Sequence, residues 1–311
     1  MVSRYPVIFL LTIFLFGCNS ASPSPTPAPA SEIPALPATA TVASPTVVPD
    51  YVTKIGNAQY QLGITDTLRV VQLVDGEYKQ GAIGGADYVF VNVTDFVTTG
   101  DLNNDGSMDE VVALIAENYG GSGVFVFLAE YEDVNGTLNF LSSVLLDDRP
   151  QLNELSIDGG EIVLSAITHA TDDPMCCPTL QTTRRYRLLL PTQLEMTEYT
   201  TFTRDGRPRT ITINVPIHGA EVYSSFQLKG SVAIAPFENN LVYRIYDLGG
   251  VELASGSVTV DAPELGGLGT FDSIIELGNI LSGSVVRVEI QDISAADGSL
   301  LAMDSVELVV K

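Results

Sequence analysis

From Tyr51 onward, apolar runs of strand length alternate with turn residues. Thr67–Val74 and Tyr78 flank Asp75-Gly76, Val124–Tyr131 and Thr137–Leu146 flank Asn135-Gly136, and Leu155–Ile157 and Glu161–Ile167 flank Asp158-Gly159-Gly160. Strands joined by turns this short must run antiparallel, because parallel neighbours need a long crossover. Tyr88–Val93 and Glu110–Ala116 bracket a polar stretch, and Arg184–Leu190 with Thr197–Phe202 completes an antiparallel β domain over residues 51–205. The cluster Arg204-Asp205-Gly206-Arg207-Pro208 marks a boundary. Beyond it the alternation is cleaner. Ile211, Ile213 and Val215 alternate with Thr212 and Asn214. Val286, Val288 and Ile290 are predicted inward against Arg287 and Glu289, and Val306, Leu308 and Val310 inward against Glu307. Ser225–Ile234, Leu241–Tyr246, Val251–Val260 and Gly269–Leu277 bring the count to about seven strands over 210–311, the spacing of a β-sandwich. The expected class is all-β with little helix.

The start of the chain follows a different pattern. Residues 1–18 read as an export signal: Arg4 is the basic end, and Val7–Leu15 is an apolar core too short to span a bilayer. Leu15-Phe16-Gly17-Cys18 resembles the bacterial lipobox, which implies a lipidated Cys18 as the first mature residue and a membrane partner reached through it. Residues 19–50 are Ser, Pro, Thr and Ala with almost no charge, a composition that buries too little surface to fold. Together they describe a tether that stands a folded body off a membrane.

Charge narrows the partners. Fifteen Lys and Arg face 38 Asp and Glu, a formal charge of −23. Phosphate recognition needs clustered cations, so nucleic acid is excluded. An acidic surface suits divalent cations and keeps an exported chain soluble.

The polar stretch 100–110 carries the clearest chemistry. Asp101, Asn103, Asp105, Ser107 and Asp109 stand at relative positions 1, 3, 5, 7 and 9 of a calcium loop, with Gly106 at the sharp turn. Position 12, where a helix–loop–helix site places a bidentate Glu, is Val112. A β-like run follows, so the pattern is that of a DxDxDG loop set between strands, holding a structural Ca²⁺. The other reading is a solvated Asx-rich turn. The second notable stretch runs from His169 to Pro178. Cys176 and Cys177 form a vicinal disulfide, stay reduced and buried, or join His169 as metal ligands. A hydrolase would draw on His169, Asp172 and Asp173. Gly120-Gly121-Ser122-Gly123 fails as a nucleophile elbow because Val124 stands where the last glycine belongs.

Two family resemblances add to this. Asp101–Asp109 together with Asp173-Pro174-Met175-Cys176-Cys177-Pro178 is similar to an uncharacterised domain of bacterial lipoproteins, which brings no activity with it. Val215–Val222, Phe226–Ala233 and Pro236–Asp247 resemble the immunoglobulin-like domain of bacterial spore-germination proteins and lipoproteins. That likeness implies an immunoglobulin-like sandwich over 210–311 serving as a binding or spacer module, with no catalytic residues to carry over. His218 is expected to be a surface residue. The expected protein is a non-catalytic, lipid-anchored, extracytoplasmic envelope component that binds a protein, glycan or cell-wall partner. The alternatives are an extracytoplasmic hydrolase and a pure spacer.

Overall fold

In the computed structural model, the described residues are 49–311 apart from Asp66, Pro191, Thr192 and Asn279. The export signal, Cys18 and residues 19–48 of the tether lie outside them. A short helix, α1 (Pro49–Ile55), opens the described chain where the sequence pattern placed the end of the tether. Asp50 in its first turn and Lys54 in its last favour the helix dipole, and the two pair at 3.4 Å. Ile55 anchors it in the core with no exposure.

β1 (Gln59–Gln61) and β2 (Val70–Gln72) form a separate two-stranded ribbon. A five-stranded antiparallel sheet follows in chain order: β3 (Glu77–Gln80), β4 (Val89–Gly100), β5 (Glu110–Asn118), β6 (Phe125–Val134) and β7 (Thr137–Asp148). The expected hairpin at Asp75-Gly76 is present only as a turn with a single bridge between Val74 and Glu77, because β2 pairs with β1 and β3 with β4. β4 is longer than its apolar run: the register shifts between Val93 and Val97, and the Thr94 hydroxyl accepts from the Phe96 amide there.

β8 (Gln151–Asp158), β9 (Glu161–Thr168), β10 (Leu180–Leu190) and β11 (Gln193–Thr201) make an antiparallel meander. Its apolar face lies on the five-stranded sheet, while the ribbon and α1 cover the opposite face. β5 is therefore sealed on both sides. Val111, Ala113 and Ile115 join the core under the ribbon, and Val112, Leu114 and Ala116 join the core under β8–β11.

The C-terminal half is a sandwich built from β12 (Ile211–Val215), β13 (Ala220–Val222), β14 (Ser225–Val232), β15 (Asn240–Asp247), β16 (Glu252–Asp261), β17 (Gly269–Glu276), β18 (Val285–Ile293) and β19 (Leu300–Val310). Its core brings Leu228, Leu241, Ile245, Val286, Val288, Ile290 and Leu308 to zero exposure, as the alternation required. Arg287 and Glu289 do point away from that core, yet they are 7% and 5% exposed. They are covered because Arg287 donates to the Met196 carbonyl, pairs with Glu195 and Glu289, and lies over the Tyr246 ring.

The two halves share one sheet. β11 pairs antiparallel with β19 through Glu198↔Asp304, Tyr199↔Met303 and Thr200↔Ala302. The resulting twelve-stranded sheet runs β12-β14-β17-β16-β15-β18-β19-β11-β10-β9-β8, with β13 parallel to β19. Thr201 and Ser305 hydroxyls add bonds across the seam to the carbonyls of Leu301 and Thr197, at 2.6 and 2.9 Å.

Candidate functional site

The connection from β4 to β5 is the acidic loop, and its side chains curl inward on its own backbone. Asp101 accepts the Asp105 and Gly106 amides at 3.1 and 2.9 Å, Asn103 accepts the Asp105 amide at 2.8 Å, and Asp105 accepts the Ser107 amide at 2.8 Å. The Ser107 amide holds the Asp105 carboxyl below the ordinary range. Gly106 sits at φ +91°, a conformation that glycine adopts without strain. From below, Glu110 accepts the Leu102 amide at 3.1 Å, and Leu102 is 1% exposed in the core beneath β8–β11. The β8–β9 turn leans on the loop: a Cβ on Gly160 would meet the Asn104 amide oxygen at 2.9 Å.

The donor types and their order suit a hard cation. Asp109 Oδ1 supplies a structural reason as well, since it is buried without a hydrogen-bond partner. Convergence is another matter. Among the described residues no three His, Cys, Asp or Glu side chains stand together as a metal cluster. In this conformation both oxygens of Asp101 and one of Asp105 accept backbone amides.

Sequence reasoning missed a second acidic feature under the same loop. Glu110 and Glu130 are buried on one face of the five-stranded sheet at 1% and 0% exposure, and both Glu130 oxygens lack partners. Burial, then the neighbouring Glu110, pushes the Glu130 carboxyl up to about 8. Each lies within or beside an apolar strand run, and only the covering of both faces of the sheet makes them interior. His218 is half exposed, and its ring nitrogen lies 2.8 Å from Arg187, which also reaches Glu161 at 2.9 Å.

The loop between β9 and β10 is the second place that the sequence singled out. Cys176 and Cys177 are bonded to each other on an exposed turn. Asp173 closes the loop at its base by accepting the Ala170 amide at 2.8 Å, the Thr179 amide at 2.7 Å and the Thr179 hydroxyl at 2.9 Å. These donors, the Ala170 amide foremost, hold its carboxyl below the ordinary range. His169 bonds neither to Asp172 nor to Asp173 but to a partner that sequence did not suggest: Asp147 Oδ2 lies 2.9 Å from its Nδ1 and accepts its amide. That contact raises the His169 pKa. Asp172 is exposed. The glycine-rich turn 120–123 is held by Asn118, whose side chain donates to the carbonyls of Gly121 and Gly123.

The structure thus keeps the two singled-out loops apart at different strand connections. No helix among the described residues is long and apolar enough to cross a membrane. No curated protein matches the chain. Residues 210–299, which cover β12 to β18, match the family model for the immunoglobulin-like domain of bacterial spore germination (Gmad2), and this ties the C-terminal half to proteins of the bacterial envelope or spore.

Proposed function

We propose that this protein is a non-catalytic component of the bacterial cell envelope, lipidated at Cys18 and held off the membrane by residues 19–48, whose β-rich body binds an extracytoplasmic partner. The observation that carries this reading is the match of residues 210–299 to the spore-germination domain. The seam between β11 and β19 supports it further, because a domain continuous with its neighbour moves as one body at the end of a tether. A non-catalytic role accords with the way Asp173 is used up in closing its loop, where it accepts the amides of Ala170 and Thr179.

In the same reading, Asp101, Asn103, Asp105, Ser107 and Asp109 hold a structural Ca²⁺, and the orphaned Asp109 oxygen is the donor that most needs it. The ion would neutralise the loop's carboxylates and brace the β4–β5 connection. Even a weak site fills at the millimolar calcium found outside cells.

The test is detergent partition and cell-wall sedimentation of the full chain. The reading expects the protein in the detergent phase, transfer of Cys18→Ala to the aqueous phase, and co-sedimentation with isolated envelope material. A wild-type chain that stays aqueous and sediments with nothing overturns it.

A further inference from the structure

A groove of about 690 Å³ lies between the β1–β2 ribbon and β7, a volume within the range of roughly 300–1,000 Å³ usual for small-ligand clefts. Its lining sets it apart from the rest of the molecule. In a chain of formal charge −23, none of the described residues lining this groove is Asp or Glu. The one cation, Lys54, is neutralised by Asp133 at 2.7 Å and Asp50 at 3.4 Å. The remaining polar groups are amides and a hydroxyl: Asn57, Gln59, Gln61, Gln72, Thr137 and Asn139.

Their placement follows from strand geometry. In the ribbon Tyr60 and Val71 turn into the core, so Gln59, Gln61, Val70 and Gln72 share the outer face. Gln59 stands directly opposite Gln72, with Gln61 two positions along. Gln72 donates to the carbonyls of Asn57 at 2.7 Å and Leu73 at 3.2 Å, which orients its amide and leaves its oxygen free to accept. The side chains of Gln59, Gln61 and Asn139 have no hydrogen-bond partner among the described residues. Phe140 adds an apolar surface, fixed edge-on against Tyr60 and Tyr131 with centroids 5.7 and 5.5 Å away.

We propose that this amide-lined groove is a binding site for a neutral oligosaccharide. An amide offers an acceptor oxygen and two donor hydrogens, and a sugar hydroxyl is both donor and acceptor, so neighbouring amides match neighbouring hydroxyls. A half-buried aromatic ring suits the apolar face of a pyranose. The absence of carboxylates and of a free cation from the described lining favours a ligand without charge. The proposal rests on the extracytoplasmic placement proposed above, where glycans are at hand, and it names the ligand class and the surface.

The experiment is an array of neutral oligosaccharides (glucose, mannose, galactose and N-acetylglucosamine types) probed with the full chain in detergent. Titration of the strongest binder against wild type and against Gln59→Ala/Gln61→Ala/Asn139→Ala follows, with tetra-galacturonate as an anionic control. All three residues line the groove and their side chains make no hydrogen bond among the described residues, and the circular dichroism spectrum of the variant checks folding. The expected result is saturable binding of a neutral glycan, at least about tenfold weaker in the variant, with no binding of the galacturonate. No neutral glycan binding, equal binding of the galacturonate, or binding unchanged in the variant overturns the proposal. An extended peptide pairing along β7 through backbone bonds would give the last of these patterns. Detergent partition that persists in a chain that binds no neutral glycan overturns the groove while leaving the envelope reading intact.

Discussion

The Tyr60 hydroxyl donates a 2.6 Å hydrogen bond to Glu117 Oε1 across two layers of the fold, and neither side chain is exposed. The Gly63 amide and the Tyr119 hydroxyl complete the shell around Glu117, at 2.8 and 2.7 Å. A buried carboxylate with three donors is satisfied; with two it is costly. Tyr60→Phe should therefore destabilise the fold by about 1–3 kcal/mol. Urea unfolding of the variant beside wild type measures it. Because Tyr60 is the central residue of β1, the same variant should also raise amide exchange in the ribbon before it does so in β5.

Calcium should raise the melting temperature by several degrees, and EDTA should reverse the gain, since a ligand bound only by the folded chain stabilises it by mass action. Asp105→Ala should abolish the response while leaving the metal-free melt close to that of wild type, Asp105 being exposed. A melt indifferent to calcium would reduce the loop to a turn held by its own Asx bonds.

The seam should make unfolding cooperative. Thr200 is 3% exposed and sits in register with both Thr183 and Ala302. Thr200→Pro removes a ladder donor in a strand paired on both sides, a position that proline does not tolerate. Calorimetry should show one transition for wild type and two for the variant, if the halves depend on each other as the continuous sheet implies.

Asp304 gives the seam a pH dependence. Burial raises its carboxyl to about 6; Glu198 and Glu161 push in the same direction, while the Ile213 and Ser305 amides oppose them. Between roughly pH 4 and pH 6 the folded chain keeps a proton that the unfolded chain has released. Stability contributed by this group is therefore lost as the pH rises through that window. Asp304→Asn should flatten that part of the stability curve, measured by urea midpoints at half-unit steps.

Closure of the cysteine loop should depend more on Asp173 than on the sulfurs. A bridge between adjacent residues encloses almost no chain, so it removes little entropy from the unfolded state. Asp173→Ala removes the acceptor of the Ala170 and Thr179 amides and should lower the melting temperature, against a smaller change on reduction with a phosphine. Melts of the oxidised, reduced and substituted chains compare the two.

Much of the fold was legible because its turns are local. Asn135-Gly136 and Asp158-Gly159-Gly160 join strands that pair with each other, and their positive φ values are what those residue types signal. The Asp75-Gly76 turn misled because β2 and β3 find partners elsewhere. Glu110, Glu117 and Glu130 were unreadable as interior groups, since alternation alone gives a strand one wet face and β5 and the middle of β6 have none. The order of oxygens in the acidic loop was visible; their engagement with backbone amides was not. The amide groove escaped entirely, because Gln59, Gln61 and Asn139 meet only after the ribbon settles beside β7.

β19 lies C-terminal to all three of its partners, β18, β13 and β11, and stands between the two halves of the great sheet. Nothing emerging earlier from the ribosome can close that sheet. Until residue 310 is free, β11 and β18 each present an unpaired edge. Closure of the great sheet is thereby deferred until β19, the most C-terminal of the described strands, is in place.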